Sequence, residues 1–230
     1  MEIKLDKPKG VLLQYPDKFK PSVGVTEFPQ ITVEDLKQLK EQGWSRVGIV
    51  AIIMDSYGNI LISENPPDDD KVPRRQYGFS SETSHIYGDT IESPLETLAR
   101  CISEELDIDD PSEINAHIPA TNPYIIVQWP VGGKHENEFA LAICPVVIVD
   151  DDSAKLLTKI PDYSSPLKKN EVTAADFIEP YRIPRLDCRD GIDETLRQIR
   201  SSGLLDPGIP LKSVSLTLPQ YNEPGKDIIL

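Results

Sequence analysis

Residues 92–108 read ESPLETLARCISEELDI, and this stretch contains most of the information that the sequence gives about fold and chemistry. It predicts a helix over 94–106, because Ser93 can cap it, Pro94 suits the first helical position and Glu96 completes a capping box. Apolar side chains then recur at helical spacing and predict a face turned toward the core. These side chains belong to Leu95, Leu98, Ala99, Ile102 and Leu106.

The segments around this helix predict a mixed sheet. Two apolar runs, 47–54 and 60–62, flank the turn DSYGN and predict a β-hairpin before the helix. After the helix, apolar runs predict strands over 124–129 and 139–149, a short strand near 177–178 and a second helix over about 192–200. This order predicts an α/β (α+β) fold in which a mixed β-sheet is sandwiched between helices.

Proline-rich ends predict extensions on either side of this unit. We expect an N-terminal arm with a short helix over residues 1–43, an α/β domain over 44–203 and a Pro-rich C-terminal extension over 204–230. The two extensions suit a homodimer or a protein partner as a further binding mode.

Charge and cysteine content limit the classes of function. The formal net charge is −14, so we expect neither nucleic-acid nor membrane binding, both of which need basic surface. Three scattered cysteines without metal-ligand spacing and a start without an apolar signal core predict a cytoplasmic protein.

The predicted helix also concentrates charged side chains near its end. Glu104 and Glu105 lie one turn after Arg100 and Cys101, and Glu92 lies just before the helix. Carboxylate oxygens are the ligands that Mg²⁺ prefers. The competing interpretation is a solvated helix end, with Arg100 in a surface ion pair with Glu104.

The same segment resembles the Nudix box, in which Gly, five residues, Glu, seven residues and then Arg-Glu-hydrophobic-x-Glu-Glu-x-Gly-hydrophobic follow in order. Glu92 matches the first Glu, and Arg100, Ile102, Glu104, Glu105 and Ile108 match later positions. The QYGF stretch at 76–79 resembles the segment that leads into the box, and Glu171 resembles an additional acidic residue on a later loop.

Three positions depart from the Nudix pattern. Cys101 stands where the family has a metal-binding Glu, Ile86 where it has the box Gly, and Asp107 where it has the late Gly. A thiol is a poor ligand for Mg²⁺. Acidic side chains that could replace the lost ligand are Glu82, Asp89, Glu92 and Glu171.

The resemblance implies a metal-dependent hydrolase that cleaves a pyrophosphate bond in a nucleoside-diphosphate-linked small molecule, with Mg²⁺ or Mn²⁺ as cofactor. It implies catalytic roles for Arg100, Glu104, Glu105 and Glu171, and metal binding by Glu92, Glu104 and Glu105. We further expect substrate contacts from basic and aromatic side chains, namely Arg46, Arg74, Arg75, Tyr77 and Tyr87. The alternative is a catalytically impaired Nudix-fold module that binds a nucleotide-like ligand or a protein partner.

Overall fold

The computed structural model describes residues 13–21, 27–65, 76–87, 89–130, 138–159, 172–205, 212–220, 226–227 and 229. Four α-helices lie within these ranges, α1 Val33–Glu41, α2 Pro94–Leu106, α3 Asp151–Leu157 and α4 Ile192–Ser201. The strands before α2 are β1 Arg46–Val50, β2 Ile52–Met54, β3 Ile60–Asn65, β4 Gln76–Gly78, β5 Ser81–Thr83, β6 His85–Tyr87 and β7 Thr90–Ile91. Those after it are β8 Ala116–Pro119, β9 Tyr124–Pro130, β10 Phe139–Val149, β11 Ala174–Ile178, β12 Ser213–Leu216 and β13 Lys226–Asp227.

The long strand β10 organises the main sheet. On one side it pairs in parallel with β1 and then with β2. On its other side it pairs antiparallel with β9 and then with β8. The sheet continues from β2 through β3 to β11, and from β1 to β5, so parallel and antiparallel pairs are mixed as predicted.

Helices cover both faces of this sheet. Neighbouring residues of a strand point to opposite faces. Ile49 belongs to the buried cluster that includes Leu98 and Ile102 of α2, whereas Val50 belongs to the cluster that includes Leu196 and Ile199 of α4. The predicted fold class, a mixed sheet sandwiched between helices, is therefore confirmed.

Parts of both terminal extensions pack on the domain itself. The backbone N–H of Leu13 donates to the Gln128 side chain on β9, and the Gln128 N–H donates to the Tyr15 hydroxyl, while Phe19 is buried. At the other end, β12 pairs with β8 and so adds a strand to the main sheet. Among the described residues, no helix is long and apolar enough to cross a lipid bilayer.

Candidate functional site

Helix α2 begins and ends with well-defined local contacts. Its N-terminus carries the predicted capping box, in which the Ser93 hydroxyl accepts from the Glu96 N–H and the Glu96 carboxylate accepts from the Ser93 N–H. At its C-terminus Asp107 has a φ of 59°, the left-handed conformation that Gly adopts most easily. The backbone at position 107 thus has the conformation that the late Gly of the Nudix motif would favour, although the residue is Asp.

Arg100 is the centre of the charged cluster. Its side chain is only 1% exposed, and its guanidinium group lies 3.1 Å from carboxylate oxygens of both Glu92 and Glu82 and 3.4 Å from one of Glu104. It also donates to the Thr83 carbonyl oxygen at 2.5 Å. Burial alone would lower the pKa of Arg100, but Glu92 and then the other carboxylates more than offset this, so the pKa is raised. The surface ion pair that was the competing interpretation of Arg100 does not describe this buried group.

Glu92 accepts hydrogen bonds from Arg100 with both of its carboxylate oxygens. One of its oxygens accepts from Arg100 Nε at 3.1 Å and the other from Nη2 at 3.1 Å, a bidentate pair. The second oxygen also accepts from the His85 N–H at 2.8 Å and the Thr97 hydroxyl at 3.1 Å. The geometry therefore favours a role for Glu92 in positioning Arg100 over the predicted role as a metal ligand.

Cys101 lies on the buried face of α2, which packs against the main sheet. The residue is 0% exposed and belongs to the same buried cluster as Leu98 and Ile102. Burial, and next the neighbouring Glu105 carboxylate, raise the pKa of the Cys101 thiol well above its usual value. The thiol is therefore uncharged at neutral pH, which disfavours a role for Cys101 as a nucleophile or as a ligand for Mg²⁺.

The resemblance implies a divalent metal, with Glu92, Glu104 and Glu105 as its predicted ligands. Within the described ranges, no group of three or more His, Cys, Asp or Glu side chains is arranged to hold a metal ion. Glu104, whose side chain is 42% exposed, turns an oxygen toward Arg100, and Glu105 is buried. Glu171, the predicted additional carboxylate, lies outside the described residues.

A cleft of about 290 Å³ lies on the α4 face of the sheet, along β1. Arg46 and Arg189 line it together with Trp129, and within the described part of the chain neither guanidinium group has a hydrogen bond or an ion pair. Arg46 Nε is buried without a partner. Gly48 lies in the floor of the cleft, where a Cβ would overlap the Glu82 carbonyl oxygen, so β1 and β5 approach as closely as they do only because residue 48 is Gly.

The other predicted substrate contacts lie elsewhere. Tyr77 donates its hydroxyl to the Glu64 carboxylate and is not among the residues that line the cleft. The Tyr87 hydroxyl is hydrogen-bonded to Glu92, and its pKa is raised by burial and then by that carboxylate. Neither Tyr77 nor Tyr87 lines this cleft, and their roles as substrate contacts stay predictions. Arg74 and Arg75 lie outside the described residues.

Two cleft residues were missed from the sequence. The signal for Trp129 was present, because alternation along the predicted strand 124–129 places Trp129 on the same face as Val127. Arg189 has no comparable signal. It reaches the cleft because its N–H donates to the Tyr77 carbonyl oxygen and the Tyr77 N–H donates to the Asp187 carbonyl oxygen, which fixes this loop on β4.

A second cavity, of about 240 Å³, lies beyond the C-terminus of α2. Among the described residues it is lined by Asp107, Asp109, Asp110 and Glu113, with Lys159 as the basic side chain. This acidic lining disfavours anions, so of these two cavities the cleft beside Arg46 suits a phosphate-bearing ligand better.

No family model matches the chain, and no curated protein matches it. Among solved structures it is similar to a MutT/Nudix family protein from Listeria innocua, with 12% identity over 71% of this chain and 96% of that chain and a TM-score of 0.45. It is also similar to a Nudix hydrolase from Nitrosomonas europaea, at 12% identity, 69% and 90% coverage and a TM-score of 0.44. A MutT protein from Methanosarcina mazei gives 9% identity, 69% and 94% coverage and a TM-score of 0.39. These are likenesses of fold.

Proposed function

We propose that the chain is a Nudix-type module that binds a phosphate-bearing, nucleotide-like small molecule and hydrolyses it poorly or not at all. The observation that carries the proposal is the arrangement around Arg100. Two of the carboxylates that the resemblance assigns to metal binding, Glu92 and Glu104, instead form ion pairs with this guanidinium group. The ligand position at 101 holds a buried, neutral thiol.

Binding is supported by the two unpaired arginines of the cleft. The formal net charge of the chain is −14, yet two guanidinium groups without a carboxylate partner among the described residues lie at one cleft. Arg46 and Arg189 approach one cleft from different elements, and guanidinium groups bind phosphate through paired N–H donors. A cleft of about 290 Å³ is at the small end of ligand sites, which favours a mononucleotide-sized ligand over a dinucleotide.

Binding is tested by calorimetric titration of the full chain with ADP in the absence of divalent metal. Loss of a charge-assisted hydrogen bond costs about 1.5–3 kcal/mol, so we expect Arg46→Gln and Arg189→Gln each to weaken binding by about 10- to 150-fold. Arg200→Gln is the matched control, because Arg200 is exposed on α4 and away from the cleft, and it should leave the affinity unchanged. If the native chain and the three variants bind ADP with equal affinity, this cleft is not the ligand site.

The competing function, a metal-dependent pyrophosphohydrolase, is favoured by one observation. Three carboxylates surround the single guanidinium of Arg100, which leaves a formal charge of −2 that attracts cations. A release assay with Mg²⁺ and Mn²⁺ on nucleoside triphosphates, ADP-ribose, dinucleotides and nucleotide sugars separates the two functions. Hydrolysis by the native chain that is abolished in Glu105→Gln would favour the hydrolase.

A further inference from the structure

We infer that the cleft holds a planar heteroaromatic ring of its ligand in a slot between Trp129 and Arg46, above Ala140. This inference rests on the proposed function and names the part of the ligand that the cleft selects. It follows from the strand register, the small side chains of the floor and the chemistry of the two walls.

The register places the three residues in one row. Arg46 of β1 is opposite Ala140 of β10, and Ala140 is opposite Trp129 of β9. Residues directly opposite each other in a sheet point to the same face. Arg46 and Trp129 therefore rise on either side of Ala140, whose methyl group is too short to fill the space between them.

The next row continues the floor with small side chains. Two residues further along, Gly48 is opposite Ala142, and Ala142 is opposite Val127. Strands lie about 4.7–4.9 Å apart, so the backbones of β1 and β9 are separated by about 9.5 Å. Atoms in van der Waals contact lie about 3.5–4.0 Å apart, so the slot has room for one flat ring between two walls and not for two.

The walls have the chemistry that favours an aromatic ring. Trp129 is half-buried and offers its indole as a stacking surface, an interaction that is tolerant of which base is bound. The guanidinium group of Arg46 is planar and stacks on aromatic faces. Arg46 Nε is buried without a hydrogen-bond partner in the described part of the chain, so no carboxylate there binds this atom and holds the guanidinium group away from the slot.

Arg189 is placed to bind the anionic end. Its side chain lies over Gly78 of β4, where its Cδ is 3.0 Å from the position that a Cβ would take. Since Arg189 is exposed at the mouth of the cleft, a ligand whose ring lies over Ala140 can direct a phosphate group outward toward it. The ligand class is therefore a heteroaromatic ring joined to phosphate.

The test uses ADP and inorganic pyrophosphate as probes of the full chain. Stacking on an aromatic side chain is worth about 1–3 kcal/mol, so Trp129→Leu should weaken ADP binding by about 5- to 140-fold. Trp129→Phe should restore most of the loss, and pyrophosphate binding should be the same in all three proteins. Ala140→Leu fills the slot and should weaken ADP binding at least tenfold, whereas the control Ala174→Leu, on the distant strand β11, should not.

Fluorescence gives a second readout. The chain has two tryptophans, of which Trp44 is buried and Trp129 lines the cleft, so ADP should quench emission in the native chain but not in Trp129→Phe. If ADP binds with dependence on Arg189 but equally well to Trp129→Leu and Ala140→Leu, the slot is wrong and the proposed function stands. If ADP and pyrophosphate both fail to bind the native chain, the proposed function fails and the slot with it.

Discussion

Replacing Arg100 by Met tests the idea that the charged cluster is a buried structural unit. Met has a similar length but no donors, so the variant leaves the buried Glu92 without its bidentate partner. Removing one member of a buried ion pair costs about 3–5 kcal/mol, because the remaining charge is left desolvated. Glu82 and Glu104 retain access to water and add little to this cost.

The assay is urea unfolding followed by far-UV circular dichroism, with thermal unfolding as a check. For a chain of this size about 3–5 kcal/mol corresponds to a fall in Tm of about 6–20 °C. The control Arg200→Met, on the exposed face of α4, should stay within about 0.5 kcal/mol of the native chain.

A double variant distinguishes a broken pair from a packing defect. Arg100→Met combined with Glu92→Gln removes the unpaired charge while keeping acceptors for the His85 N–H and Thr97 hydroxyl. We expect it to recover a large part of the lost stability, as a double-mutant cycle would measure. A loss below about 1 kcal/mol in Arg100→Met, or no recovery in the double variant, would show that the Arg100–Glu92 pair is not a buried structural unit.

Three further predictions follow from other positions. Iodoacetamide should alkylate Cys188 but not Cys101 in the folded chain, as mass spectrometry would show, because Cys101 is fully buried. Burial raises the pKa of Cys188 to about 11, so the alkylation of Cys188 should be slow at pH 7 and accelerate as the pH rises toward that value. Gly48→Ala should lower the free energy of unfolding in urea by at least about 1–3 kcal/mol, since its Cβ would overlap the Glu82 carbonyl oxygen. An unchanged free energy of unfolding would contradict the close approach of β1 and β5. The Cys101→Glu variant should have a lower Tm than the native chain without metal, and millimolar Mg²⁺ should restore part of the difference. Mg²⁺ should not shift the Tm of the native chain, and a shift there would indicate an existing metal site.

The fold was predictable wherever a local signal fixes an element. Ser93, Pro94 and Glu96 determine the start of α2, and the observed helix has the predicted bounds. The long apolar run of β10 was likewise predicted over 139–149, as observed. Helix α3 was not predicted, although Asp150 caps it and Asp151 and Asp152 lie in its first turn.

The site was less predictable because its contacts are non-local. The sequence identified Arg100 and its carboxylates, but it could not show that Glu92 accepts from the backbone at His85 as well as from Arg100. The cleft joins residues as far apart as Arg46 and Arg189, which only the pairing of strands and the packing of the later loop bring together. The aromatic residue that lines this cleft is Trp129, which the sequence analysis did not select.

Binding without efficient hydrolysis can be measured in one experiment, in which the native chain is titrated with ADP and the bound nucleotide is then followed in Mg²⁺ by chromatography. We expect saturable binding that depends on Arg46 and Arg189, with the nucleotide recovered intact after many half-lives of the complex. Conversion of ADP to AMP and phosphate by the native chain, lost in Glu105→Gln, would contradict this expectation.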